Sequence, residues 1–491
     1  MLEDHRDQTP LLRAGLTCWR RANASRVSVL VDGAAYFRAM KAAMEQAKRS
    51  LLLLGWDFDP HVRLEPDSAD GSTEPLCNLM ERWLDRNSRL QIHILIWDMA
   101  RVLAIQRRDA PQHAPKWLPS DRLAYRLAND HPPGASHHQK ILVVDDTIAF
   151  CGGSDFTRNR WDTPEHLPVD KRRRTRDGGL YGPRHDVVMA VEGAVAVALG
   201  DLFRKRWRRA TGLALLPTPT RTDAWPASLT PVATNVSIGV ARTEPVWRGR
   251  SEVREAEALS LSAIAAAERW IYIENQYFTS PVIGAALARR LAEPGGPEVI
   301  VVCPLHSGGP FDRLTMDHAR NNLLHRLQRA DRHDRFRAFA PLAQDDVPIT
   351  VHSKLMIIDD RLLRVGSSNL NNRSLGFDTE CDLAIEAHTI SDPTRQAIFR
   401  LLVRLIAEHT GSPAELMQQK IVEADSLLAG ISALNPETGR RLGKFSIVRP
   451  AVLDRVMGST HLFDPLGASD NWRPRRRISL AGARGGTFAP D

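Results

Sequence analysis

The chain has 491 residues, 43% apolar and 25% charged, with a formal net charge of +8 at pH 7. This length supplies core for two or more domains, and the composition excludes a fibrous or disordered chain. The positive balance points to an anionic partner, either a phospholipid surface or a nucleic acid, with a plain Arg-rich soluble surface as the alternative.

In chain order, the N-terminal stretch MLEDHRDQTPLL is acidic and polar, without the basic start and apolar run of a secretory signal. No apolar stretch reaches the length that spans a bilayer. Cys18, Cys77, Cys151, Cys303 and Cys381 are odd in number and show no metal-ligand spacing. A reducing compartment is therefore expected, and with it a cytoplasmic protein. AKRSLLLLGWDF (Ala47–Phe58) predicts a helix end, an apolar strand and a polar-aromatic turn, and LQIHILIWD (Leu90–Asp98) a buried strand. HHQKILVVDDTIAFCGGSD (His137–Asp155) reads as strand, tight turn and second strand. LLPTPTRTDAWPASLTP (Leu215–Pro231) is rich in Pro, Thr and Ser and reads as a linker. Beyond it, AERWIYIENQYF (Ala267–Phe278), PEVIVVCP (Pro297–Pro304) and VHSKLMIIDDRLLRVGSSN (Val351–Asn369) repeat the earlier segments in the same order. The basic, Gly-containing end NWRPRRRISLAGARGGTFAPD reads as a surface tail.

The repetition is in register. An offset of 214 residues carries His138, Lys140 and Asp145 onto His352, Lys354 and Asp359, and Gly152, Ser154 and Asp155 onto Gly366, Ser368 and Asn369. The chain is therefore a duplication of one α/β unit. The expected domains are residues 1–215 and 232–491, joined by a linker over 216–231.

On a strand, residues i and i+2 face the same side, so His138 points with Lys140 and His352 with Lys354. A lysine beside a histidine makes poor core, because an unpaired buried ammonium is expensive. Two such pairs suit a phosphodiester: the lysines neutralise the non-bridging oxygens, one neutral histidine attacks phosphorus, and the other protonates the leaving oxygen. Asp145 and Asp359 fall at the turns and are expected to be structural supports. Each imidazole is expected to lean on a carboxylate through its other ring nitrogen. Asp186 and Glu380, at matching strand starts, are the candidates: Asp186 for His138, and Glu380 for His352.

The doubled HxKxxxxD pattern resembles the phospholipase D superfamily, nearest to the eukaryotic-type phosphatidylcholine phospholipase D core. The resemblance covers Ala47 to Glu386 and rests on SHHQKILVVDDTIAFCGGSDFTRNRWD, HDVVMAVEGAV, FRKRW, IYIENQYF and VHSKLMIIDDRLLRVGSSNLNNRS. Asp155 stands where many lipid synthases of the superfamily carry Asn, and only the second half keeps Asn369; that asymmetry is similar to the eukaryotic-type enzymes. The resemblance implies two similar α-β-α layered domains related by a pseudo-two-fold axis, with the active site at their interface. It implies a reaction without metal or other cofactor, through a phosphohistidine on His138 with His352 as general acid. It further implies hydrolysis of a phospholipid to phosphatidic acid and head group, or phosphatidyl transfer to an alcohol.

Asp155, Asn369, Ser367, Gln276 and Trp161 are expected to contact substrate, with Trp56, Tyr277 and Phe278 as further candidates at the entrance. The runs Lys171–Arg174 and Arg473–Arg477 are candidate contacts to anionic lipid. Both motifs lie in one chain, so a monomer peripheral to the membrane is expected, with no nucleic acid partner. The alternatives are a cardiolipin-type phosphatidyltransferase, a phosphodiesterase nuclease, and a catalytically dead lipid-binding protein.

Overall fold

A computed structural model describes residues 9–66, 74–98, 120–175, 177–218, 223–309, 313–389, 391–445 and 464–467. The first half contributes strands β1 (Arg20–Val31), β2 (Ser50–Gly55), β3 (Gln91–Trp97), β4 (Leu123–Ala128), β5 (Ile141–Val144), β6 (Ile148–Gly152), β7 (Arg184–His185) and β8 (Val187–Gly193). The second contributes β9 (Ala233–Glu244), β10 (Val253–Arg254), β11 (Trp270–Asn275), β12 (Glu298–Val302), β13 (Phe336–Leu342), β14 (Thr350–Val351), β15 (Lys354–Ile358), β16 (Leu362–Gly366), β17 (Glu380–Glu386) and β18 (Arg441–Lys444).

The duplication reappears as topology. One sheet runs β18-β13-β12-β11-β15-β16-β17-β9-β1-β8-β6-β5-β2-β3-β4, with β10 paired to β9. Outward from the central β1–β9 pair, the order β8-β6-β5-β2-β3-β4 on one side matches β17-β16-β15-β11-β12-β13 on the other. β2 runs parallel to β3 and antiparallel to β5, and β11 runs parallel to β12 and antiparallel to β15. Parallel neighbours need a crossover, supplied by the helices Leu76–Arg86 and Pro281–Ala292. β2 and β11 are buried along their whole length, as strands covered on both faces must be.

The halves share more than a boundary. Leu11, Leu12 and Cys18, from the start of the chain, pack into the core of the second half, where Glu386 receives the Leu11 and Leu12 amides. One apolar core joins inner faces of both halves with the helices Ala194–Thr211 and Pro393–Thr410. The sheet also curls. β6 and β17 are separated by three strands, about 19 Å if flat, yet the Cys151 thiol donates to the Cys381 carbonyl at 3.4 Å. The expected linker is docked: Ala224, Trp225 and Leu229 are buried against the first half, and Trp225 Nε1 donates to the Leu229 carbonyl at 2.7 Å. Among the described residues, no helix is long and apolar enough to cross a membrane.

Candidate active site

The curl sets the two histidine motifs against each other. Ahead of β5, the segment at Ser136–His138 leaves its own half: His138 N donates to Thr379 O at 2.9 Å, and Thr379 N to Ser136 O at 3.0 Å. Ahead of β15, β14 pairs in parallel with β7, and His352 N donates to His185 O at 2.8 Å. Each motif's lead-in is thus bound to the other half.

This crossing corrects the expected carboxylate pairing. His138 Nδ1 lies 3.0 Å from both Glu380 oxygens, and His352 Nδ1 lies 2.8 Å from Asp186 Oδ2. Asp186 therefore serves His352 and Glu380 serves His138, the reverse of a same-half assignment. The physical reason is the lead-in hydrogen bonds, which place each histidine at the first residues of the opposite half's strand. Behind the carboxylates stand hydroxyls: Ser154 donates to Asp186 at 2.6 Å and Ser367 to Glu380 at 2.5 Å. Gly153 permits the first approach, since a Cβ there would sit 2.4 Å from Asp186 Oδ1.

Lys140 and Lys354 both turn back to the carbonyl of the histidine two residues earlier, at 2.9 and 2.6 Å. Their other partners differ. Lys140 Nζ lies 3.3 Å from Asp155, whose other oxygen accepts from the Trp56 amide at 2.8 Å. Lys354 donates instead to the neutral amide oxygen of Gln276, at 2.9 Å. Burial brings the Lys354 ammonium down to about 7. Burial, then the charges of Lys140 and Lys354, hold His138 well below the usual imidazole range. His352 is held down likewise, by burial, then Lys354, then Arg184 and Arg160. Burial pushes the Glu380 carboxyl well up, against the opposing Ser367 hydrogen bond. Both imidazoles are thus held toward the neutral form, each with Nδ1 beside a carboxyl group.

Asp145 and Asp359 sit in the β5–β6 and β15–β16 turns with φ of 51° and 52°, a left-handed conformation that Asp tolerates. Asp145 accepts the amides of Lys48, Arg49 and Ser50, and Asp359 those of Glu268, Arg269 and Trp270. Each carboxylate ties its turn to the start of the neighbouring strand.

The expected substrate contacts divide. Ser367 is committed to Glu380 and Asp155 to Lys140, so both hold side chains of the two motifs in place. Trp161 is core, 4% exposed, with the Arg172 guanidinium 4.7 Å above its ring, and Phe278 is fully buried. Trp56 and Tyr277 stay half-buried. Asn369 Oδ1 is buried without a hydrogen-bond partner among the described residues. The run Lys171–Arg174 is not a uniform basic surface. Arg173 is fully buried and donates to Asp162 at 3.2 Å, and Arg172 is spent on Asp170 and Trp161. Arg473–Arg477 lies outside the described residues.

The sequence reading missed Arg160 and Arg184, whose charges bear on His352, and a set of buried ionisable groups: Asp32, His166, His185, Glu274, Glu408 and His409. The available signal was a charged residue inside an apolar run, as in IYIEN and LLVRLIAEHT.

Residues 131–225 match the family model described as "Phospholipase D", and residues 261–402 match "Cardiolipin synthase, PLD-like domain". The chain belongs to the phospholipase D superfamily. It is similar to phospholipase D A of Dictyostelium discoideum, 26% identical over 78% of this chain and 35% of the relative. It is also similar to phospholipase D1 of Schizosaccharomyces pombe, 24% identical over 84% of this chain and 38% of that protein. Phospholipase D alpha 4 of Arabidopsis thaliana is 22% identical over 78% of this chain and 64% of its own length. The chain thus spans between a third and two thirds of these relatives. In fold it is similar to phosphatidylserine synthase of Haemophilus influenzae, with a TM-score of 0.55 at 14% identity over 84% of this chain and 94% of that one.

Proposed function

We propose that the chain is a phospholipase D that cleaves a phospholipid phosphodiester through a covalent phosphohistidine. The observation that carries this reading is the crossed pair of dyads, His138–Glu380 and His352–Asp186, sharing the field of Lys140 and Lys354. In this reading the phosphodiester's charge lies between the two lysines. His138 Nε2 attacks phosphorus, the head-group oxygen leaves, and His352 supplies its proton. Burial and then the nearby cations keep the imidazoles neutral, and the bound anion offsets the cationic part, which lets one of them carry that proton. Water, losing its proton to His352, then attacks the phosphohistidine and releases phosphatidic acid. A small primary alcohol in place of water gives the phosphatidyl-alcohol.

The substrate brings the chain to a membrane surface. A monomer suffices, because both dyads lie in one chain, and a cytoplasmic location agrees with five free cysteines. A second reading, a cardiolipin-type phosphatidyltransferase, is favoured by the description of the model that matches residues 261–402. One incubation tests both: the protein with mixed phospholipid vesicles, ethanol and single-stranded DNA, with products identified by mass. Phosphatidic acid with phosphatidylethanol is expected. Cardiolipin made from phosphatidylglycerol selects the second reading, and shortened DNA with intact lipid overturns both.

A further inference from the structure

Four side chains outside the histidine–lysine centre converge in the interior. Asp32 follows β1, His166 lies in the loop after β6, His185 is in β7, and Glu408 is near the end of the helix Pro393–Thr410. Asp32 is 1% exposed, both histidines 0% and Glu408 8%. His185 Nδ1 stands 3.0 Å from Asp32 Oδ1 and 3.0 Å from Glu408 Oε1. His166 Nε2 stands 3.6 Å from Asp32 Oδ2 and 3.4 Å from Glu408 Oε1.

Close as they are, and at ion-pair distance, these atoms make no well-directed hydrogen bond among the described residues. Both Asp32 oxygens, His166 Nε2, His185 Nδ1 and Glu408 Oε1 are buried with no directed hydrogen-bond partner among the described residues. At 3.0 Å only direction can be at fault: the ring nitrogen does not aim at either oxygen beside it. Orphaned buried polar atoms each cost about 1–3 kcal/mol, so several in one spot call for a common partner. The spacing indicates which. Four ligands about 2.0–2.2 Å from a central zinc, arranged tetrahedrally, stand about 3.3–3.5 Å from one another. Glu408 Oε1 stands 3.0 Å from His185 Nδ1 and 3.4 Å from His166 Nε2, and the Asp32 oxygen nearer each nitrogen stands at 3.0 Å (Oδ1) or 3.6 Å (Oδ2), distances that lie around that value.

The outer nitrogens are as well arranged as the inner ones are unmet. His166 Nδ1 bonds Asp162 Oδ2 at 2.9 Å, and His185 Nε2 bonds Glu274 Oε2 at 2.9 Å. A carboxylate on the far nitrogen fixes the tautomer and ring orientation of a metal-binding imidazole. These outer carboxylates have further donors. Asp162 takes Arg173 at 3.2 Å and the Arg184 amide at 2.8 Å, and Glu274 takes the Tyr272 hydroxyl at 2.7 Å and His409 at 3.1 Å.

We propose that Asp32, His166, His185 and Glu408 form a closed structural site for a divalent transition-metal cation, with zinc the best suited. Two neutral imidazoles, two carboxylates and a dication sum to zero charge in the interior. Two imidazoles disfavour calcium and magnesium, which prefer oxygen ligands in greater number. Four protein ligands leave no position for water, so the ion is structural. Its consequence is positional. Asp32, His166 and His185 belong to the first half and Glu408 to the second, so the ion joins the two. Asp186 follows His185 in the chain, and its carbonyl accepts the Asp32 amide at 2.8 Å, so the carboxylate that holds His352 is set beside the metal.

The test is metal content, independent of activity. The full chain, untagged, is produced in zinc-supplemented and in cobalt-supplemented medium and purified without chelator. Mass spectrometry is expected to find about one metal per chain, and the cobalt form to show the intense visible bands of tetrahedral Co(II). Glu408→Gln and His166→Asn are expected to lose the metal at least tenfold, while His333→Ala, at an exposed histidine, keeps it. Less than about a tenth of an equivalent in the unaltered chain from both media overturns the proposal, as does unchanged metal in the soluble variants. If the variants are insoluble, the cobalt spectrum of the unaltered chain decides: tetrahedral bands support the site and their absence overturns it.

Discussion

Lys140 rests on a carboxylate and Lys354 on an amide. The two halves share strand order, turn aspartates and the histidine–lysine spacing, yet the side chains that meet the lysines differ: Asp155 in the first half and Gln276 in the second. Duplication preserves what builds the strands and frees what sets local charge. The first lysine is largely neutralised before any ligand arrives. The second has a neutral amide as its side-chain hydrogen-bond partner, and burial brings it down to about 7.

The largest effect expected from breaking the pair is loss of the shared chemistry. His138→Asn, His352→Asn, Lys140→Ala or Lys354→Ala should each lower kcat for phospholipid cleavage by several orders of magnitude, with circular dichroism unchanged. A double Lys→Ala variant with substantial activity would remove the mechanism. Next come the carboxylates. Glu380→Gln and Asp186→Asn should each cost about a hundred- to ten-thousandfold in kcat, as removing an orienting carboxylate does. The crossed pairing is then resolved by trapping. If His138 is the nucleophile, the label should form on His138, and Asp186→Asn should also slow its loss to water, the step in which His352 takes the water's proton.

The charge difference itself is tested by pH. In the proposed mechanism the phosphodiester meets the Lys354 ammonium, so with a value of about 7 in the free protein, kcat/KM should fall as pH rises through that range. Asn369→Asp makes the second half like the first, and the new carboxylate favours the charged form. The falling limb should move to higher pH by about one unit. A limb that stays in place would show that Lys354 is not the group titrating. The smallest effects belong to the turn aspartates. Asp145→Asn and Asp359→Asn should each reduce unfolding free energy by about 1–3 kcal/mol, read as a lower Tm, with kcat nearly unchanged.

The doubled triplet was legible because its spacing is fixed by one strand: His138 and Lys140 must share a face, and so must His352 and Lys354. The apolar runs of β2, β3, β11 and β12 were legible for the same local reason. What pairs with what across the halves was not. Nothing in the spacing of Asp186 or Glu380 says that each motif's lead-in hydrogen-bonds to the opposite half, so the nearer carboxylate in sequence was the wrong partner. Arg173 reads as one of four adjacent surface charges and is buried because Asp162, 11 residues earlier, meets it. Asp32, His166, His185 and Glu408 come from four separate segments, and no motif links them.

The crossing also sets when the chemistry can begin. His138 leaves the ribosome long before Glu380, its partner 242 residues later, and His352 must reach back 166 residues to Asp186. At about 5–20 residues per second, the first imidazole waits roughly 12–50 s for its carboxylate. A first half released early carries a histidine and a lysine but no dyad, and a truncated second half is equally unarmed. Completion of either dyad is thus tied to completion of the fold, and under the proposed mechanism a chain still being made has no complete pair.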